Sequence, residues 1–287
     1  MPIKWFSDEE TALIRPGHPF VKMHGLRNDF VIVDGRDTPF DPDRETIVRI
    51  CDRHEGVGAD ELLIVNPPRE EGTHAYVRII NPDGREVEAC GNATRCVGWL
   101  LLGETGEETL RIQTPGGILT CTRAGENRVS VNMGRIRTDW HEIPLAREMD
   151  TLHLGIESGG LKDPVGMNIG NPHAVFFVDD LAAADLPAHC RALQTHDLFP
   201  EEANIGVAQV LDPSTLKLDV WERPGNMTTA CGTGACVAVA AALRRGLTDR
   251  RTMTVMMPAG SVDIEITADN RAVMTGPAAV CFTGHLA

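Results

Sequence analysis

Two cysteines stand directly before glycine in matching contexts, Ala89-Cys90-Gly91-Asn92-Ala-Thr-Arg-Cys96-Val97 and Ala230-Cys231-Gly232-Thr233-Gly-Ala-Cys236-Val237. An apolar, small-residue stretch follows each, so both cysteines are expected at helix starts, beside unpaired backbone N–H groups and the positive end of the helix dipole. That setting favours thiolate, and the pKa of both thiols is expected to fall. The same N–H groups suit a carboxylate, and glycine lets a ligand approach the backbone closely. Taken singly, either cysteine reads equally well as a buried helix-start residue. The matched pair has a chemical use: reversible inversion at a carbon needs a base on one face and an acid on the other, and a duplicated frame can bring two equivalent groups together. Cys96 and Cys236, deeper in the helices, read as small buried apolar residues.

The elements that would position these residues repeat as well. Gly25-Leu-Arg-Asn28-Asp-Phe-Val-Ile-Val-Asp34 is answered by Gly170-Asn171-Pro-His173-Ala-Val-Phe-Phe-Val-Asp179, each leading into a β-rich run. Asn28 precedes Cys90 by 62 positions and Asn171 precedes Cys231 by 60, spacing that points to duplication of one unit. The expected helices Cys96-Val-Gly-Trp-Leu-Leu-Leu102 and Ala235-Cys-Val-Ala-Val-Ala-Ala-Ala-Leu243 are apolar nearly all round and must be enclosed. Arg244-Arg245-Gly246 supplies a C-terminal stop to the second. Short β runs at 77–80, 110–113, 128–131, 216–220, 253–256 and 262–266 supply the enclosure. The expected fold is α/β (α+β), with two pseudo-symmetric halves, each a curved sheet or barrel wrapped around a central helix. The halves are placed at 1–134, with 277–287 returning to it, and 135–276; a loop-like stretch is expected from the boundary to about Gly166.

Composition narrows the partners. Across 287 residues, 42% hydrophobic and 24% charged, the chain has the balance of a soluble globular protein. A formal charge of -14 and the lack of a Lys/Arg block argue against nucleic acid and anionic lipid. The N-terminal stretch has acids and a proline where a signal peptide needs an apolar core, so the expected location is cytoplasmic, with no membrane association. The eight cysteines, Cys51, Cys90, Cys96, Cys121, Cys190, Cys231, Cys236 and Cys281, are then expected as reduced thiols. The Cys90/Cys96 and Cys231/Cys236 spacings are wider than a zinc knuckle, and no metal site is expected. Pyridoxal phosphate would need a Schiff-base lysine, but Lys4, Lys22, Lys162 and Lys217 stand beside no phosphate cradle. No cofactor is expected, and preorganised donors would have to stabilise the developing charge.

At this point a family resemblance emerges. Met23-His-Gly-Leu-Arg-Asn28-Asp-Phe, Gly56-Val-Gly-Ala-Asp60, Asn81-Pro-Asp-Gly-Arg-Glu-Val-Glu-Ala-Cys90-Gly-Asn92, Gly170-Asn171-Pro-His173, Asn204, and Glu222-Arg223 leading to Ala230-Cys231-Gly-Thr-Gly-Ala-Cys236 together resemble the diaminopimelate epimerases, in order and over essentially the whole chain. The resemblance implies a cleft site between two halves, commonly a homodimer, and interconversion of LL- and meso-2,6-diaminopimelate on the way to lysine and peptidoglycan. It implies Cys90 and Cys231 as the acid/base pair, with His173 and Glu222 close to the thiols. It further implies substrate contacts from Asn28, Glu61, Asn81, Gly91, Asn92, Asn171, Asn204, Glu222, Arg223, Gly232 and Thr233. Arg223 could grip a carboxylate in bidentate fashion. Read alone, the asparagines and His173 are turn residues and Glu222 a strand-end charge.

Three departures border the site. Glu61 stands where the family often has glutamine, the first helix start reads Gly-Asn-Ala-Thr-Arg-Cys in place of Gly-Asn-Gly-Ala-Arg-Cys, and Pro224-Gly225-Asn226 replaces a more usual Gly-Ala-Gly. Alternatives are a related two-cysteine racemase of proline, hydroxyproline or histidine, a thiol redox or metal-buffering protein, and a non-catalytic relative. The Asn, Glu and Arg constellation fits the first two less well, and both retained cysteines disfavour the third.

Overall fold

A computed structural model describes residues 17–286 apart from 89, 184 and 224, so the N-terminal stretch, Lys4, Ala89 and Pro224 of the sequence reading lie outside the described residues. The first half runs β1 (Pro19–Gly25), β2 (Asn28–Asp34), α1 (Arg44–Cys51), β3 (Glu61–Asn66), β4 (Ala75–Ile80), β5 (Glu86–Val87), α2 (Gly91–Thr105), β6 (Thr109–Thr114), β7 (Gly117–Arg123) and β8 (Arg128–Arg135). The second runs β9 (Glu157–Ser158), β10 (Leu161–Lys162), β11 (Val165–Asn168), β12 (Pro172–Phe177), α3 (Leu186–Gln194), β13 (Asn204–Asp212), β14 (Thr215–Glu222), β15 (Asn226–Thr228), α4 (Gly232–Arg244), β16 (Thr252–Met257), β17 (Gly260–Ile266) and β18 (Arg271–Pro277), after which β19 (Ala279–His285) returns to β1 of the first half.

Strand pairing repeats with the sequence. In the first half β1–β2 is antiparallel, β2–β3 parallel, β3–β4 antiparallel, β4–β6 parallel, and β6–β7 and β7–β8 antiparallel. In the second, β11–β12, β12–β13, β13–β14, β14–β16, β16–β17 and β17–β18 follow the same alternation. Antiparallel pairing of β8 with β18, and of β19 with β1, makes the 17 strands one hydrogen-bonded network.

Each sheet encloses a helix because that helix has no polar face to give to water. In α2 everything from Gly91 to Gly98 is buried, and Cys96, Val97 and Leu102 pack with Met23, Leu63, Ile112 and Val131. A Cβ on Gly98 would come 2.9 Å from the Cys121 sulfur on β7, so glycine is what lets the sheet close on the helix. In α4 Gly234 through Ala242 are all buried, against Val175, Leu218, Val255 and Ile264 among others. At about 1.5–3 kcal/mol for each large apolar side chain buried, these two cores dominate stability. Gly246, at φ 67° after α4, is the stop the sequence signals, and Gly106, left-handed at φ 72°, ends α2 in the same way.

The two halves meet where α2 faces β18. The fully buried Arg95 donates from Nε to the Pro277 carbonyl at 3.3 Å and from Nη1 toward the Met274 sulfur at 3.4 Å. The stretch from 135 to 166 is more than the loop the sequence suggests. Ile143, Leu145, Leu154, Ile156 and Leu161 join Phe176 and α3 residues Leu186 and Leu193 in a separate apolar cluster, and β9 and β10 form a small hairpin within it. Its apolar residues lack a regular period, which hid the cluster. No helix among the described residues is long and apolar enough to cross a membrane.

Candidate active site

Cys90 and Cys231 are the N-cap residues of α2 and α4, both with extended backbone. The two helix starts converge on one side chain. A Cβ on Gly91 would meet the Met274 methyl at 2.8 Å, and a Cβ on Gly232 would meet the Met274 sulfur at 3.0 Å. Both cysteines therefore open on the same cavity, about 660 Å³ in volume. All eight cysteines are free thiols.

Around Cys90, the thiol faces the Asn28 Oδ1 at 3.7 Å, and Asn92 Nδ2 donates to the same oxygen at 3.2 Å. Asn28 is itself held by donating to Asp60 at 3.1 Å. Around Cys231, the sulfur accepts from the Gly234 N–H at 3.3 Å and lies 3.5 Å from the Thr233 hydroxyl. Thr233 is also reached by Asn171 Nδ2 at 3.4 Å and by His173 Nε2 at 3.2 Å. Glu222 accepts from the Thr228 hydroxyl, and the Asn204 side chain accepts from the Arg223 backbone N–H at 2.9 Å.

The expected residues divide into those that face the cavity and those behind its wall. Asn28, Glu61, Asn81, Gly91, Asn92, Asn171, Glu222, Arg223, Gly232 and Thr233 line it with the two cysteines. His173 and Asn204 do not; His173 is buried behind Asn171 and Thr233, with Nε2 3.0 Å from Asn171 Oδ1, and the buried Asn204 lies against His173, its Nδ2 3.4 Å from Nε2. His173 thus reaches a thiol only through Thr233. The Arg223 guanidinium donates to the Glu201 carbonyl at 2.7 Å. Gly56 proves to be a packing glycine: a Cβ there would sit 1.9 Å from the Arg49 carbonyl at the end of α1.

Electrostatics corrects one expectation. The first-turn N–H groups do pull the thiol pKa values down, but burial outweighs them, and Glu61 beside Cys90 and Glu222 beside Cys231 add to the upward push. Both thiols are held well above the ordinary cysteine range. Burial, helped by the Arg223 charge, lowers His173 to about 3, so its imidazole is neutral throughout the working range. Burial raises Glu61 to about 7, opposed by its contact with the Cys90 thiol.

Sequence reading missed three contributors. Asp60 anchors Asn28 and pairs with Arg53 at 2.7 Å; its place in the Gly56-to-Asp60 motif was a usable signal. Thr228, the partner of Glu222, sits among other threonines with nothing to single it out. Met274 comes from β18, far along the chain, and only the closure of the two halves brings it between the helix starts.

With this geometry in place, a family model described as diaminopimelate epimerase matches residues 20–138 and 165–281. A diaminopimelate epimerase of Phenylobacterium zucineum (strain HLK1) is 48% identical, covering 94% of this chain and 98% of the relative. One of Rhodospirillum centenum is 45% identical, covering 93% and 91%. Among solved structures, a hydroxyproline epimerase from Agrobacterium vitis with bound trans-4-hydroxy-L-proline shares the fold, with a TM-score of 0.65 at 13% identity over 94% of this chain and 92% of that one.

Proposed function

This chain belongs to the diaminopimelate epimerase family, and from that premise we propose that it interconverts LL- and meso-2,6-diaminopimelate by proton transfer between Cys90, the substrate Cα and Cys231. The observation that carries the reading is the convergence of two cysteine-led helix starts on one cavity, at Met274.

One thiolate removes the Cα proton from one face and the opposite thiol protonates the carbanion from the other, which inverts the centre; the roles exchange in the reverse direction. Burial keeps both thiols protonated at rest, so the base forms only by passing its proton to a neighbour. Glu222 is that neighbour for Cys231. Gly91, Gly232 and Thr233, with Asn92, offer first-turn N–H groups to the substrate carboxylate, where they also stabilise the negative charge that spreads onto it after proton loss. His173 stays neutral and orients Thr233. Asn28, Asn81, Asn171 and Arg223 hold the rest of the substrate, whose far end carries a second amine and carboxylate. Arg223 suits that carboxylate, while Asn204 acts through the Arg223 backbone.

Among the described residues no lysine lines the cavity, and Lys22 is committed to Asp29 and to the Gly58 carbonyl, so the reaction is proposed to need no pyridoxal phosphate. A homodimer in the cytoplasm, serving lysine and peptidoglycan supply, is proposed on family grounds. Incubating the purified protein with LL-diaminopimelate, without pyridoxal phosphate and with proline, hydroxyproline and histidine in parallel, tests the function. Formation of meso-diaminopimelate alone is expected; inversion of a control in its place, or dependence on the cofactor, contradicts the proposal.

A further inference from the structure

The two halves deliver a carboxyl to their thiols from different places in the repeated frame. In the first half, β3 pairs with β4 through Leu62 and Ile80, with Glu61 one residue before that pair and Asn81 one residue after it. In the second half, β13 pairs with β14 through Ile205 and Trp221, with Asn204 before and Glu222 after. The carboxyl and the amide have exchanged strands. Glu61 nonetheless lies against Cys90 as Glu222 lies against Cys231, and both line the common cavity.

Glu61 has little else to serve. Its Oε2 is buried with no hydrogen-bond partner. The nearby cations are matched elsewhere: Lys22 pairs with Asp29, and Arg53 with Asp29 and Asp60. The titratable groups around it are Cys90 from α2, Asp60 beside it in the chain, Glu222 from β14, and Cys51 from α1. Among the described residues no cation pairs with it.

We propose that Glu61 is the protonation partner of Cys90, a positioning residue that stores the thiol proton when Cys90 acts as base and returns it when Cys90 acts as acid. The inference rests on the two-thiol reading above. In the storing step the S–H bond breaks and a carboxyl O–H bond forms; sulfur keeps the electron pair, which then takes the Cα proton. The step needs an ionised Glu61 at rest. Activity should therefore rise with pH as this carboxyl, whose pKa burial raises to about 7, loses its proton.

Two measurements on wild type, Glu61→Gln and Glu222→Gln test this: the pH profile of kcat/KM, and the pH at which iodoacetamide begins to alkylate each active-site thiol, read by peptide mass mapping. Glutamine keeps the side-chain shape while removing the carboxyl's charge and proton, and a thermal melt checks folding. Glu61→Gln should lose the near-neutral limb and about tenfold of kcat/KM on its alkaline side, a modest share of the range for one positioned acid/base group. Its Cys90 should alkylate from about one pH unit lower, with Cys231 unmoved, since a neighbouring negative charge is gone. Glu222→Gln should do the converse. A near-neutral limb retained in Glu61→Gln, an unmoved Cys90 onset, or equal movement of both thiols overturns the inference. The alkylation reading needs no turnover, so absence of epimerisation in wild type would sink the proposed function separately.

Discussion

The surroundings of Cys90 and Cys231 share a backbone but not a set of side chains. Phe30 pairs with Glu61 where β2 meets β3, and His173 pairs with Asn204 where β12 meets β13. At these matched places, and at the ends of β4 and β14, the first half has Phe30, Glu61 and Asn81 where the second has His173, Asn204 and Glu222. What both halves keep is a cysteine capping a buried helix, a glycine after it and a carboxyl against the sulfur. The fold is thus constrained by chemistry at the thiol rather than by residue type at each frame position. Either strand can bring the carboxyl in, and an imidazole is present on one side only.

The comparison breaks most directly at the sulfurs. Serine keeps the shape but is far less acidic, so Cys90→Ser and Cys231→Ser should each lose on the order of 10²–10⁴ in kcat, the scale of one positioned acid/base group. The losses should be alike, because every inversion uses both thiols. Steady-state assays in both directions check this, and near-normal turnover in a folded Cys90→Ser would remove the first half from the mechanism.

A smaller effect is expected where the halves differ. His173→Phe copies the first half's Phe30 and strips the nitrogen contacts from Thr233 and Asn171. Turnover should fall roughly tenfold to a hundredfold, as when a positioning contact is lost. The pH profile should not move, since the imidazole is already neutral. The stability sign is also fixed. With a folded pKa of about 3, below the unfolded value, His173 binds its proton more readily unfolded, so stability falls as pH drops through the interval from 6.5 to 3. The phenylalanine variant should lose that part of its acid sensitivity in melts at mildly acidic pH.

The smallest catalytic effect is expected at the helix bodies. Cys96 and Cys236 are fully buried in apolar clusters, and burial pushes both thiols up to about 12. Serine there buries a hydroxyl at a cost of about 1–3 kcal/mol. Melting temperature should drop while kcat stays near wild type, and a large kcat loss without a stability loss would undo the distinction between the two cysteine classes.

Much of this was legible because it is local or repeated. The Cys-Gly starts, the enclosed helices and the two Asn-led strands carry their signals within a few residues, and the equal spacing exposed the duplication. The ranking of forces at the sulfurs was not legible. The dipole argument is local and predicts a lowered pKa, whereas burial beneath two closing sheets and the approach of Glu61 and Glu222 are products of the tertiary fold. The resemblance implies His173 close to the thiols and Asn204 as a substrate contact, but their place behind the cavity wall depends on the β12–β13 register. Glu61 stood out in the sequence as a departure, and only the structure sets it against the thiol.

If two thiols on opposite faces share each inversion, the fate of the Cα hydrogen must show it. LL-diaminopimelate is incubated in D₂O and stopped at low conversion, and both forms are analysed for deuterium at Cα. The removing thiol keeps the substrate's protium while the opposite, solvent-equilibrated thiol delivers deuterium, so the meso product should be deuterated and the recovered LL substrate almost free of it. Deuterium entering recovered LL substrate as fast as product forms, or product that retains the original protium, would mean that one base serves both faces and would rule out the two-thiol mechanism.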